Sequence, residues 1–229
     1  MKLFTYINYF YFLVDNWNLK IAWYMIRQEI KGEKKYGIHT TGADELQKLD
    51  KLGIDISHAT IYMPVSYSLM EEILQRLPVT TRHHFLDIGC GKGRALCMAA
   101  HGGFTKVTGL DFSKELCENA KANLALTKEK LPALEYQVIN NDAFYFDIPG
   151  DVDCIFLFNP FDEVVMSAVV RNLTESLKNH PRELCVVYVN PVHKELFSKA
   201  GYTETWYSKK MKYIEAVIFR NKMHAPANR

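Results

Sequence analysis

Residues 84–94 read HFLDIGCGKGR, the stretch in which an apolar run passes directly into a cluster of glycines and then into a helix-forming segment. Phe85, Leu86 and Ile88 suit a strand covered on both faces, and Asp87 stands at its carboxyl end ahead of Gly89, Gly91 and Gly93. Glycines at alternate positions mean that the backbone approaches something closely or turns where a Cβ is forbidden. A chain with this junction is expected to form a parallel sheet with crossover helices, and any active site is built outward from the turn.

The spacing separates the ligands that such a turn can hold. A dinucleotide fingerprint needs its third glycine one place later, where this chain has Arg94. A phosphate-cradling loop needs Gly-Lys followed by Ser or Thr, and Gly91, Lys92, Gly93 lacks it. Asp-x-Gly-x-Gly-x-Gly resembles motif I of the class I S-adenosylmethionine-dependent methyltransferases, whose loop wraps the methionine end of the cofactor. A turn that merely lets helix and strand pack would use the same glycines.

A chain of 229 residues suits one full hydrophobic core with an appendage, and a net charge of +2 gives no reason to make nucleic acid or an anionic membrane an obligate partner. Cys90, Cys97, Cys117, Cys154 and Cys185 lack the paired spacing of a zinc or redox site and read as core residues of a cytoplasmic protein. His83, His84 and His193 show no metal-ligand spacing, so no metal is expected.

Aromatic residues crowd the amino-terminal end: Phe4, Tyr6, Tyr9, Phe10, Tyr11, Phe12, Trp17, Trp23 and Tyr24. The apolar run of residues 3–14 is too short to span a bilayer, and no small-residue cleavage site follows a basic region. From Leu19, the positions of Ala22, Trp23, Ile26 and Ile30 predict an amphipathic helix, packed on the domain, on a second copy or on a membrane surface. Residues 31–35 read as a charged turn, residues 43–52 as a short helix, and Met70, Ile73, Leu74 and Leu77 as the buried face of a further helix. Tyr62, Pro64 and Tyr67 fit either core or the roof of a cofactor pocket.

Strand and helix patterns then alternate. Strands are predicted near residues 106–110, 136–139, 153–158 and 184–189, and residues 202–207 and 214–219 read as a hairpin joined by a lysine-rich turn. The polar residues collect at the carboxyl ends of the strands, where open parallel sheets bind ligands. Asp111 can accept hydrogen bonds from ribose hydroxyls or cap a helix; Asp142 and Ala143 can meet an adenine or simply turn the chain.

The glycine loop, Asp111, Asp142 and the Asn159, Pro160, Phe161 sequence match, in order and spacing, motifs I to IV of class I methyltransferases over about residues 84–221. The chain also resembles a group of small, largely uncharacterised bacterial methyltransferases that combine KYG-x-x-T, Tyr-x-Pro, GCGKGR and FLFNPF, here residues 35–40, 62–64, 89–94 and 156–161. The resemblance implies a doubly wound, mostly parallel seven-stranded α/β sheet (Rossmann-like methyltransferase fold), with residues 79–229 as the S-adenosylmethionine-binding domain and residues 1–78 as an α-helical N-terminal extension or cap. It implies that Gly89, Gly91 and Gly93 hold the methionine portion, with Asp87 at its amino group, Asp111 at the ribose, and Asp142 and Ala143 at the adenine. Cys90 and Phe112, which adjoin these motifs, are also expected to bind the cofactor, with Tyr62 roofing the pocket. In methyltransferases that modify amino groups, Asn-Pro-Pro-Tyr closes the fourth strand and holds the target amine. Here Asn159, Pro160 and Phe161 are one residue shorter, so nitrogen is a suggested acceptor only. The expected cofactor is S-adenosylmethionine, the product S-adenosylhomocysteine, and the substrate a protein or small molecule in preference to RNA. Residues 1–31 are expected to serve a homodimer or a peripheral membrane contact. The rival readings are a non-catalytic cofactor-binding or membrane-associated protein and an NAD-dependent oxidoreductase.

Overall fold

The computed structural model describes residues 2–42, 63–211 and 214–221. Five apolar runs form the parallel body of the sheet: β1 (His84–Ile88), β2 (Lys106–Asp111), β3 (Glu135–Asn140), β4 (Cys154–Phe158) and β5 (Cys185–Val189). The terminal strands β6 (Thr203–Met211) and β7 (Ile214–Arg220) are antiparallel, and β7 lies against β5. Among the described residues the order is β3-β2-β1-β4-β5-β7-β6. The chain winds outward from β1 to β3 and then returns to place β4 on the other side of β1. Such a switch point opens a crevice at the carboxyl ends of β1 and β4.

Alternation along the strands divides the interior between two faces. Phe85, Val107, Phe156 and Val187 face a cluster completed by Met70 and Ile73 of α3 (Tyr67–Arg76), Leu96 of α4 (Arg94–His101) and Leu124 of α5 (Lys114–Lys130). Leu86, Leu110, Ile155 and Tyr188 face the opposite cluster, with Met166, Val169 and Leu173 of α6 (Glu163–Asn179) and Phe197 of α7 (Lys194–Lys199). Each such side chain removed from water contributes about 1.5–3 kcal/mol, which holds the strand ends in fixed register. All five cysteines are buried and unpaired, as their spacing predicts.

The amino-terminal segment forms a helical hairpin, α1 (Lys2–Asn16) and α2 (Leu19–Tyr36). Tyr9 and Leu13 pack on Ala22, Met25 and Ile26 between the two helices. The expected turn at residues 31–35 is instead the last part of α2, which ends at Gly37 in the left-handed region, φ 72°. Gly32 lies within this helix because the Tyr67 ring occupies the space its side chain would need; a Cβ there would lie 2.2 Å from that ring. Lys34 and Lys35 in the final turn favour the carboxyl-terminal helix charge. Of the lysine-rich turn expected after residue 207, residues 208–211 are likewise strand, because β6 pairs with β7 as far as Met211, and the remainder lies outside the described residues. The predicted helix at residues 43–52 and Tyr62 lie outside the described residues. No helix among the described residues is long and apolar enough to cross a membrane.

Candidate active site

The loop after β1 needs its glycines for two separable reasons. Gly89, Gly91 and Gly93 have φ values of 84°, 52° and 78°, where a side chain is strained. Neighbours also crowd two of them: a Cβ on residue 89 would lie 2.6 Å from Pro160 Cβ, and one on residue 93 would lie 3.0 Å from Ala120 of α5. Gly93 therefore serves helix packing, whereas Gly89 admits the turn that follows β4. The amides of Gly89 and Cys90 both donate to the Leu110 carbonyl, at 2.8 and 3.0 Å, and so hold the loop against the end of β2. Cys90 is buried, and burial first, then the Asp111 and Asp87 carboxylates, push its thiol well above the usual range.

Asp111 braces this loop from the end of β2. Its Oδ2 accepts from the Gly91 amide at 2.8 Å and its Oδ1 from the Ser113 amide at 2.9 Å. Ser113 caps α5, so the helix-cap expectation holds for the neighbour and not for Asp111 itself. Burial raises the Asp111 pKa, against the pull of these two hydrogen bonds. Asp87 is treated differently. It is 3% exposed, and no described residue donates a hydrogen bond to its carboxylate. Burial, followed by the charge of Asp111, raises its pKa well above the ordinary value. A desolvated acid without a donor attracts a cationic or hydrogen-bonding group.

At the end of β3, the Asp142 side chain is exposed and accepts from the Phe144 amide at 2.8 Å, capping a single 3-10 turn. Ala143 is buried at the first position of that turn, where an N–H has no partner within the turn. Asn140 donates to the carbonyls of Asp111 and Phe112, at 3.0 and 2.7 Å, so the ends of β2 and β3 are tied together. Phe112 is half-buried between them.

The turn after β4 lies over the glycine loop. Asn159 adopts φ 36°, a conformation that asparagine tolerates better than most residues. Pro160 presses on Gly89, and the Phe161 ring comes within 3.9 Å of where a Cβ on residue 89 would stand. The Tyr188 hydroxyl of β5 donates to Asn159 Oδ1 at 3.4 Å, and burial pushes its pKa up to about 12, so it remains a donor at neutral pH. The expected residues of β1, β2, β3 and β4 are thus gathered at one sheet edge, around the switch point.

Residues 85–180 match the model of the family described as a methyltransferase domain. This part of the chain is a methyltransferase domain. None of the curated proteins gives a significant match to the chain. Solved structures with the same fold include the Escherichia coli yhhF protein, with 18% identity and a TM-score of 0.54 over 71% of this chain and 92% of that one. The methyltransferase domain of a bacterial CtHen1 also matches, with 18% identity and a TM-score of 0.51 over 66% of this chain and 96% of its own. The ribosomal protein L11 methylase of Lactobacillus delbrueckii subsp. bulgaricus has 18% identity and a TM-score of 0.51, over 67% and 77% of the two chains.

Arg94 joins the glycine loop of the methyltransferase domain to the amino-terminal helices, a link that motif order did not reveal. It is 2% exposed and forms a two-pronged ion pair with Glu29 of α2, itself fully buried. Its Nε donates to Thr40 Oγ1 at 2.8 Å, Nη1 also donates to the Val65 carbonyl at 2.8 Å, and the guanidinium lies 4.2 Å from the centre of the Tyr67 ring. Tyr67 is thereby a core residue of this network and not a roof over the cofactor pocket. The Thr41 hydroxyl lies 2.7 Å from Glu29 Oε2 and 2.8 Å from Glu33 Oε1, bridging the two acids. Burial opposes ionisation of Glu33, but hydrogen bonds from Tyr6, Thr41 and the Thr40 amide outweigh it and lower its pKa. Asn123 of α5 completes the link, donating to the carbonyls of His39 and Lys92 at 3.1 and 3.0 Å. The KYG-x-x-T and GCGKGR segments, which sequence comparison paired, therefore touch through Thr40 and Arg94. The available signal was two acids spaced i, i+4 on the apolar face of α2 and one cation opening an apolar helix.

Proposed function

We propose that the chain is an S-adenosylmethionine-dependent methyltransferase that acts on an amino group of a protein or small molecule. The observation that carries this reading is Asp87, buried at the switch point without a described donor and adjacent to a loop that presents bare backbone. S-adenosylmethionine combines an ammonium group, two ribose hydroxyls and an adenine, and the residues present suit each of them. Asp87 would take the ammonium, and Gly89, Gly91 and Gly93 the methionine chain. Asp111 retains lone pairs for the ribose, and Asp142 and the Ala143 amide suit the adenine. When bound, the cofactor supplies a methyl group already activated by a positive sulfur.

The protein must then align the acceptor, exclude water and favour a neutral nucleophile. Such alignment is worth about 7–11 kcal/mol at best. Asn159 is suited to accept hydrogen bonds from an amine, with Tyr188 holding its side chain in orientation. Pro160 and Phe161 cover the glycine loop and keep water from it. The buried position of Arg94 counts against a nicotinamide cofactor, because the third fingerprint glycine is replaced by a side chain committed to Glu29.

Calorimetric titration with S-adenosylmethionine, S-adenosylhomocysteine and NAD tests the cofactor. Micromolar binding of both sulfur compounds, abolished by Asp111→Ala and weakened by Asp87→Asn, is expected, and absence of binding by either overturns the reading. Transfer of a labelled methyl group into a lysate tests the acceptor site. Asn159→Ala should leave cofactor binding intact and reduce transfer, whereas unchanged transfer removes Asn159 from the mechanism.

A further inference from the structure

The hairpin of α1 and α2 buries one side against itself and the domain, and leaves an apolar surface on the other. Phe4, Ile7 and Tyr11 follow one another along one side of α1, and Leu19, Trp23 and Ile30 along one side of α2; all six are exposed, Phe4 by 70% and Trp23 by 57%. The two rows form one patch, because Phe10 meets Tyr11 at 6.1 Å and Trp23 at 5.3 Å between ring centres. Scattered exposed apolar residues need no explanation, but a contiguous aromatic surface does.

Charge decides what covers it. On a helical wheel Lys34, Arg27, Lys20 and Lys31 follow directly beside the Leu19, Trp23 and Ile30 row, and all four are exposed. Among the described residues of the hairpin, the acids of α2 are buried in the Arg94 network, which leaves Asp15 as the exposed carboxylate. A second copy related by two-fold symmetry would bring this basic border against itself with little to neutralise it. An anionic lipid surface offers the opposite charge to the lysines and an apolar layer to the rings, with tryptophan and tyrosine at the depth they favour. Neither helix is long and apolar enough to cross a bilayer, so contact is along the surface.

We infer that the exposed face of the α1–α2 hairpin docks on anionic lipid, with Phe4, Tyr11 and Trp23 entering the interface and Lys20, Arg27, Lys31 and Lys34 meeting phosphate headgroups. The inference does not rest on the cofactor assignment.

Sedimentation with vesicles of phosphatidylcholine, with and without phosphatidylglycerol, tests it. The full chain should sediment with the mixed vesicles and much less with phosphatidylcholine alone. Replacing Phe4, Tyr11 and Trp23 by serine, or the four basic residues by glutamine, should each lower the bound fraction by about tenfold. Both sets of side chains are exposed, so circular dichroism should be unchanged. Equal sedimentation of both variants with wild type overturns the inference, as does failure of the wild type to bind mixed vesicles. Light scattering that finds a dimer lost in the serine variant, with no vesicle binding, assigns the face to a second copy and also overturns it.

Discussion

Glu29 and Glu33 meet the end of the glycine loop, Asp87 and Asp111 its beginning, and the fold treats the two buried pairs in opposite ways. The glutamates receive Arg94, two threonines and Tyr6, so their charge is answered within the protein. The aspartates receive two backbone amides between them, both on Asp111, while Asp87 is left without a described donor. A buried acid that is fully answered holds structure, and one left unanswered is ready for a ligand. Four acids of similar burial thus divide into a brace and a site according to who donates to them.

The largest test of the brace is Arg94→Met, which leaves Glu29 buried without its cation. Such a break costs about 3–5 kcal/mol, measurable as a lowered urea midpoint. Replacing Glu29 by leucine in the same protein should recover most of the loss, and no recovery would mean that Arg94 acts through Tyr67 and Val65 instead.

Gly89→Ala tests the site's other wall. The positive φ and the contact with Pro160 should together cost about 1–3 kcal/mol, and calorimetry should show lost cofactor binding.

A smaller effect, of opposite sign, is expected of Asp87→Asn. Removing an unanswered buried acid should raise the stability of the unliganded protein by about 1 kcal/mol near neutral pH while weakening cofactor binding. The pH dependences should also diverge. The folded-state pKa of Asp87 lies above its unfolded value of about 3.9, so its contribution is fully present below that value and is lost as pH rises through the folded one. Glu33 has a lowered folded value, so its contribution is present above the ordinary glutamate pKa of about 4.3 and lost as pH falls through the folded one. Thermal melts across pH should therefore show a flatter decline on raising pH in Asp87→Asn, and a flatter decline on lowering it in Glu33→Gln.

The smallest effect is Tyr188→Phe. A hydrogen bond of 3.4 Å is long, so about 0.5–1.5 kcal/mol of stability is at stake, and a several-fold drop in methyl transfer with unchanged cofactor affinity would mark Tyr188 as positioning Asn159.

The parallel strands were legible because residues such as those of CIFLF and CVVYV are buried on both faces, a pattern that few other settings permit. Asp87, the glycines, Asp111, Asp142 and Asn159 were legible because strand ends can be read from the same runs. The continuation of α2 through residues 31–35 was not, since Gly32 and three lysines read locally as a turn. The Tyr67 ring that makes glycine the fitting residue there comes from a distant helix. Arg94 was seen only as a missing glycine, because its partner lies 65 positions away and pairwise contact leaves no periodic trace. Tyr188 was hidden by the apolar strand around it.

That separation also shapes how the molecule is made. During synthesis Glu29 emerges well before Arg94, so this acid has no buried cation to meet until the glycine loop has been made. The contact closes a long loop and belongs late in assembly. Burial of Glu29 and fixing of the helix that opens at Arg94 are then coupled, and a chain interrupted before residue 94 lacks the cation that answers this acid.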